Sequence, residues 1–192
     1  MATKSLLCVG LISSEIPEDL AKKYWLEVEG QVTRLEKSFG ELRTLYHEAN
    51  YLEGEDGLKN IQMINDQAYQ LIKNSIEKGV ELRALEDKET FLEIADCQLF
   101  LSIKFSSKEV QDKTSKLTPE IVQVYEKASH ERREYIPKRI SESLADGETR
   151  MLLIREEERM RIQFPSEINV ILVRPPVLSE IEKWERDHQG LA

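Results

Sequence analysis

Short apolar runs alternate along the chain with longer segments in which apolar residues recur at helical spacing. The first pattern is typical of β-strands buried on both faces, and the second of amphipathic α-helices. Five runs are strand candidates: Leu6–Ile12, Leu42–His47, Val80–Leu85, Met151–Ile154 and Ile168–Val173. Because helical segments separate most of these runs, their order predicts crossover connections. We therefore expect an α/β fold, a three-layer domain with a mostly parallel central sheet of about five strands and long amphipathic helices.

The helical segments have recognisable ends. Pro17 suits a first helical turn, and apolar residues follow on one face as far as Gly40. Further helices are expected at about Leu58–Ile64, Asp66–Lys78, Asp87–Phe105 and Thr118–Gly147, and a last one after Ser179. Pro137 lies inside the longest helix, where we expect a kink or a break. Asn50–Gly57 is expected to be a loop, and Arg155–Pro165 fits either a short helix or a returning antiparallel strand.

Composition narrows the class of protein. The chain has 192 residues, 40% of them hydrophobic and 33% charged, which is typical of a globular protein. This length favours one domain over residues 1–192, with a helical elaboration at about 88–147. Two cysteines are too few for the disulfide framework of a small secreted domain, and no apolar run approaches the length of a membrane span. With no targeting signal recognised, we expect a soluble, cytoplasmic protein.

The residues that follow the strands are the first candidates for function, because ligands of open parallel sheets bind beyond the carboxyl ends of the strands. They include Ser13, Ser14, His47, Glu48, Asp87, Arg155 and Arg174. One hypothesis is a hydrolase in which Ser13 or Ser14 attacks and His47 is the base, oriented by Asp87. The turn lacks the glycines of a nucleophile elbow, so the two serines are better explained as residues that satisfy backbone donors ahead of a helix.

A second hypothesis is a small enzyme that acts on a phosphorylated or carboxylated metabolite. Arg155 or Arg174 would hold the anion through paired hydrogen bonds, and His47, with Glu48 beside it, would serve as acid or base. The alternative is that each arginine pairs with neighbouring carboxylates on the surface. The turn after the first strand lacks a phosphate-binding loop, so we predict no nucleotide cofactor. The three histidines are scattered, so we predict no metal site.

The net charge of −9 argues against a general nucleic-acid-binding protein, because neutralising phosphates needs a surplus of Lys and Arg. One stretch is locally basic and carries His130, Arg132, Arg133, Lys138 and Arg139. It fits a docking surface for an acidic partner or for an RNA backbone. The alternative is a solvated helix face compensated by neighbouring glutamates.

The sequence contains no specific catalytic signature. Its long amphipathic helices favour a non-catalytic or regulatory interaction domain with a protein partner or self-association. The alternatives are the metabolite enzyme and a nucleic-acid-associated role through residues 130–139. We predict no cofactor and no contact with a membrane.

Overall fold

The fold is a five-stranded, all-parallel sheet covered by helices on both faces, as a computed structural model of residues 4–145 and 147–188 shows. The strand order is β3-β2-β4-β1-β5. The strands are β1 (Lys4–Gly10), β2 (Leu42–His47), β3 (Glu81–Arg83), β4 (Thr149–Ile154) and β5 (Ile168–Val173). The described helices are α1 (Glu18–Phe39), α2 (Gly54–Ile64), α3 (Asp66–Glu77), α4 (Lys88–Ser102), α5 (Lys108–Ser115), α6 (Thr118–Ser143), α7 (Glu156–Arg161) and α8 (Leu178–His188). The prediction of a three-layer α/β domain is confirmed.

The two faces of the sheet bury separate apolar clusters. On β1, Leu7 and Val9 pack into a cluster with residues of α1, α2, α3 and α8. Leu6 and Cys8 point to the opposite face, where they pack with residues of α6 and with Ile162 at the end of α7. This alternation explains why β1 reads as a continuous apolar run, because a strand covered on both faces has no solvated side.

The connections create a topological switch point between β2 and β4. After β2 the chain moves through α2 and α3 to the edge strand β3, on the α1 face of the sheet. After β4 it moves through α7 towards β5, on the other face. The two neighbouring strands thus send their outgoing connections in opposite directions. Their carboxyl ends flank the crevice in which open α/β sheets bind ligands.

Several element boundaries differ from the sequence-based expectation. β1 ends two residues before the expected end at Ile12, and β3 is only three residues long. The expected loop Asn50–Gly57 ends early because α2 begins at Gly54, and acidic residues in the first turn favour that start. Arg155–Pro165 contains the short helix α7, so the antiparallel alternative was wrong. The helix α5 was missed because it buries no residue and therefore carries no apolar stripe.

The longest helix, α6, runs without a break from Thr118 to Ser143 although Pro137 lies inside it. Thr118 and Ser179, at the expected starts of two helices, do not act as N-caps. Thr118 does not cap α6 and instead donates its hydroxyl to the carbonyl of Thr114 at 3.3 Å. Ser179 lies inside α8 and donates to the carbonyl of Pro176 at 3.0 Å. Within the described residues, no helix is both long and apolar enough to cross a membrane.

Candidate functional site

The candidate site lies at the switch point, where Glu48 directly follows β2 and Arg155 directly follows β4. The Glu48 carboxylate accepts a hydrogen bond from the backbone N–H of Arg155 at 2.7 Å. It also accepts from the guanidinium of Arg155, from Nε at 3.0 Å and from Nη2 at 2.6 Å. The backbone N–H of Glu48 in turn donates to the carbonyl of Leu153 at 2.8 Å. One buried glutamate therefore ties the ends of the two strands together.

Arg132 reaches the same point from α6. Its Nε and Nη2 donate to the two oxygens of Glu86 at 2.8 and 2.7 Å, and its Nη1 donates to Glu158 at 2.7 Å. Nη2 also lies 3.7 Å from Oε1 of Glu48. We call Glu48, Glu86, Glu158, Arg132 and Arg155 the carboxylate–arginine cluster. It joins α6, α7 and the segments that follow β2, β3 and β4.

Burial makes the pairing inside the cluster necessary. The side chains of Glu86, Glu48 and Arg132 are only 1%, 4% and 11% exposed. Ions this far from water are tolerated when the geometry is good and their remaining hydrogen bonds are satisfied. Burial alone would lower the pKa of Arg132. The hydrogen bond from Arg132 to Glu86 and the nearby carboxylates outweigh that effect and raise the pKa, so the guanidinium stays charged.

The backbone beside the cluster is held in an unusual conformation. Ala49 has a φ of 63°, the left-handed region that a residue with a Cβ seldom adopts. Its N–H donates to Oε1 of Glu86 at 3.1 Å. The carbonyl of the buried Asn50 accepts from the N–H groups of Leu85 and Glu86 at 2.9 and 3.2 Å. Strain of this kind persists when the surroundings fix it, and it is common at functional sites.

A cavity of about 210 Å³ opens next to the cluster. Four arginines, Arg132, Arg133, Arg155 and Arg161, contribute to its wall together with two carboxylates of the cluster, so the wall is net positive. Phe91 and Tyr125 add aromatic surface to the wall. Guanidinium groups bind carboxylates and phosphates through paired hydrogen bonds, so this wall is suited to an anion.

Arg133 differs from the other arginines of the wall. Arg132 and Arg155 belong to the cluster, and Arg161 donates to Oε1 of Glu158 at 2.8 Å. Arg133 is half-buried and forms no hydrogen bond or ion pair with any residue in the described part of the chain. The cavity therefore contains a guanidinium group whose hydrogen-bonding capacity is unused.

His47 lies close by but in a closed environment. It is 2% exposed, its Nδ1 donates to the backbone carbonyl of Glu48, and its Nε2 has no partner among the described residues. Burial lowers the pKa of His47 to about 4, against a weaker opposing effect of the Glu48 carbonyl and carboxylate. The imidazole is therefore neutral near pH 7 and is not accessible to a substrate, as acid–base catalysis would require.

The other residues of the hydrolase hypothesis have separate structural roles. Oδ1 of Asp87 accepts from the N–H and the hydroxyl of Thr90 at 3.0 and 2.9 Å, so Asp87 caps α4. Ser13 and Ser14 are exposed, and Oγ of Ser13 accepts from the N–H of Glu15 at 3.2 Å. In the described hydrogen bonds, neither serine nor Asp87 contacts His47. The structure therefore does not assemble a nucleophile, a base and an orienting carboxylate from these residues.

The two arginines expected to bind an anion lie in different places. Arg155 is in the cluster and also borders a second cavity that Ser13 and Ser14 line. Arg174 pairs with Glu156 at 3.2 Å and borders a third cavity, next to β1 and β5. Only Arg155 of this pair lines the cavity at the switch point.

The basic stretch on α6 does not form a continuous free face. Arg132 is engaged in the cluster and Arg133 lines the cavity. The other members pair with carboxylates: His130 with Glu134 at 3.4 Å, Lys138 with Glu142 at 3.9 Å and Arg139 with Glu53 at 3.1 Å. Surface arrangements of this kind leave little unpaired positive charge for a phosphate backbone.

The position of Arg132 in the sequence indicates its role, although its basic neighbours suggested a surface contact. Arg132 lies four residues after Ala128 and four before Ile136, both fully buried on α6. An arginine on the apolar face of a helix needs a buried carboxylate partner. Glu158 and Arg161 carried no comparable signal, because short helices rich in charge are common on surfaces.

No protein-family model, curated protein or solved structure matches this chain. In the part of the chain that the structure describes, no group of three or more His, Cys, Asp or Glu residues is placed to hold a metal ion.

Proposed function

We propose that this protein binds a small phosphorylated or carboxylated metabolite in the cavity beside the carboxylate–arginine cluster. The observation that carries this proposal is the unpaired guanidinium of Arg133 in an arginine-rich wall at the β2–β4 switch point. Clefts with a few convergent polar groups at such points are the usual ligand sites of α/β sheets.

The cluster supports binding because it fixes Arg132 and Arg155 before a ligand arrives. The two oxygens of Glu86 each accept a hydrogen bond from Arg132, and Oε1 of Glu48 accepts two from Arg155. Ordering long side chains on binding costs about 0.5–1.5 kcal/mol for each one. Arginines that are already ordered avoid most of this cost, so the site is preorganised for an anion.

The dimensions of the cavity favour a small ligand. Its volume of about 210 Å³ is below the roughly 300–1,000 Å³ of pockets for drug-sized molecules. The aromatic rings of Phe91 and Tyr125 provide apolar contact for a short carbon skeleton. A compact sugar phosphate or organic acid fits these features better than a dinucleotide.

The proposal is for binding and assigns no reaction. The wall of the cavity contains neither histidine nor cysteine, and His47 is inaccessible. A non-catalytic, regulatory role is consistent with such a site.

A thermal-shift comparison tests the proposal. We expect inorganic phosphate, a hexose phosphate, succinate or citrate to stabilise the wild-type protein, by about 2.7 kcal/mol at a hundred times the dissociation constant. Arg133→Gln should abolish most of the stabilisation by removing the free donor group. Lys138→Gln is the matched control, since it removes the same charge from an exposed position of the same helix. If no anion stabilises the wild type, or both variants lose binding equally, the proposal is wrong.

Self-association through the helices α4 to α6 is a second candidate function, and exposed apolar side chains favour it. Large exposed hydrophobic residues are concentrated there: Leu92, Leu99, Leu101, Ile103, Val110, Leu117 and Val124. Leu99, in the helix expected at Asp87–Phe105, is 62% exposed. Leu117, Ile121 and Val124 have the i, i+4, i+7 spacing of one helix face. Apolar faces of this kind are typical of interaction surfaces.

The distribution of charge points to a second copy of this chain as the occupant. Residues 99–127 contain five lysines and four acidic residues, whereas the rest of the chain has a net charge of −10. Two copies that meet through residues 99–127 avoid the repulsion that acidic surfaces would cause elsewhere. Light scattering after size exclusion should therefore show a dimer that dissociates on dilution. Leu117→Ser combined with Val124→Ser should prevent it, while Leu26→Ser, at an exposed position of α1, should not. A wild-type monomer at every concentration would exclude this function.

A further inference from the structure

Glu158 occupies the point where two arginines of the cavity wall converge. Its Oε2 accepts from Nη1 of Arg132 at 2.7 Å, and its Oε1 accepts from Nη1 of Arg161 at 2.8 Å. One carboxylate thus bridges guanidinium groups from α6 and α7. A carboxylate or phosphate group of a ligand would make the same kind of contact.

The geometry points to Glu158 as a built-in competitor of the anionic ligand: the ligand displaces its carboxylate and binds between Arg132 and Arg161. This inference rests on the proposed function, and it specifies a subsite and a charge for the ligand.

Glu158 is the carboxylate of the cluster that can leave most easily. Glu86 is 1% exposed and also accepts from the N–H of Ala49, and Glu48 is 4% exposed and also accepts from the N–H of Arg155. Glu158 is 16% exposed, and its described hydrogen bonds come only from two arginine side chains. It belongs to a six-residue helix without buried residues. Its rotation towards solvent therefore breaks no backbone contact.

The charges around the cavity indicate a dianionic ligand. The cluster together with Arg133 and Arg161 contains four arginines and three carboxylates, so its net charge is +1. When Glu158 turns to solvent, a charge of +2 remains at the site. A phosphate monoester carries a charge of about −1.5 to −2 near pH 7 and would neutralise it. A dicarboxylate such as succinate has the same charge, whereas acetate does not.

Calorimetric titration with glycerol 3-phosphate at pH 7.5 tests the inference. Glu158→Gln removes the competing charge but keeps the size of the side chain. If the state with Glu158 displaced is populated to about 10%, removing the competition should raise the affinity about tenfold. Glu157→Gln is the matched control, because it removes the same charge from the preceding, exposed residue of α7. The affinity of Glu157→Gln for glycerol 3-phosphate should stay within about twofold of that of the wild type.

The direction of the change in affinity in Glu158→Gln shows whether Glu158 competes with the ligand or only orients the two arginines. If Glu158 only orients the two arginines, Glu158→Gln will weaken binding, and this inference is overturned while the proposed function stands. An equal gain in Glu157→Gln would also overturn it, since a general change in charge would then explain the effect. If neither the wild type nor Glu158→Gln binds glycerol 3-phosphate or succinate, the proposed function fails as well.

Arg161→Gln provides a second readout. If the ligand takes the place of Glu158, removing Arg161 should weaken binding about tenfold in both the wild type and the Glu158→Gln background, as expected for one charge-assisted contact. An unchanged affinity in the Glu158→Gln background would show that the anion binds elsewhere in the cavity. Glu158→Gln should also bind succinate more tightly than acetate. The absence of that preference would contradict the predicted charge of the ligand.

Discussion

Arg132 and Glu86 form a bidentate ion pair, with Nε 2.8 Å from Oε2 and Nη2 2.7 Å from Oε1. The pair joins α6 to the segment that follows β3, across 46 positions of the sequence. Two parallel hydrogen bonds fix both the distance and the plane of the guanidinium group. The contribution of such a pair to net stability is small compared with the cost of breaking it, because a lone charge would then stay buried.

Arg132→Met should lower the free energy of unfolding by about 3–5 kcal/mol, because Glu86 would remain 1% exposed without its partner. Urea denaturation at pH 7.5 measures the change. Arg132→Lys should lower the free energy of unfolding by less than Arg132→Met but should not match the wild type, since an ammonium group cannot reproduce the bidentate contact. Lys138→Met, on an exposed position of the same helix, should change the stability by less than about 0.5 kcal/mol. Equal effects of Arg132→Met and Lys138→Met would show that the pair is not tightly held.

The stability of the protein should depend on the protonation of His47. The pKa of His47 in the folded protein is about 4, below the ordinary value of 6.5. A proton therefore binds more tightly to the unfolded chain. Neutral His47 makes its full contribution to the free energy of unfolding above about pH 6.5. This contribution is lost as the pH falls towards about 4. Between pH 7.5 and pH 5 we expect a loss of about 2 kcal/mol from this residue.

Urea denaturation at the two pH values, in the wild type and in His47→Leu, isolates this effect from that of the carboxylates. The variant should lose about 2 kcal/mol less than the wild type over the same interval. His130→Gln is the control because His130 is largely exposed, and its pH dependence should follow that of the wild type. A variant His47→Leu with the pH dependence of the wild type would contradict the prediction.

The sequence predicted well the strands that appear as apolar runs. The runs at β2 and β5 have the expected bounds, although β5 is an edge strand in which Asn169 and Leu172 are exposed. α5 has no buried residue, so periodicity gave no indication of it. Glu48 and Arg155 were found as strand-end residues. Their pairing with each other, and that of Arg132 with Glu86, depends on the order of the strands and the position of α6, which local patterns do not contain.

Ala49 should respond to substitution according to its left-handed backbone. Ala49→Gly removes the Cβ that disfavours a φ of 63°, and we expect an unchanged or slightly higher free energy of unfolding, by up to about 1 kcal/mol. Ala49→Val adds a β-branched side chain there and should cost about 2 kcal/mol. Thermal denaturation of both variants tests this order. If valine were as well tolerated as glycine, the backbone would not be held as described.

Gly57 and Gly30 both lie inside helices, but alanine should have opposite effects at the two positions. Alanine is favoured over glycine in a helix by about 0.5–1 kcal/mol. At Gly30, a Cβ would meet only the end of the Arg34 side chain at 3.9 Å, so Gly30→Ala should stabilise the protein by that amount. At Gly57, a Cβ would lie 2.6 Å from the carbonyl oxygen of Leu52, which belongs to the backbone and cannot rotate away. Gly57→Ala should therefore lower the free energy of unfolding by about 1–3 kcal/mol, as overpacking does. Urea denaturation of the two variants measures both changes in the free energy of unfolding. A stabilised Gly57→Ala would mean that α2 packs less closely on the segment after β2.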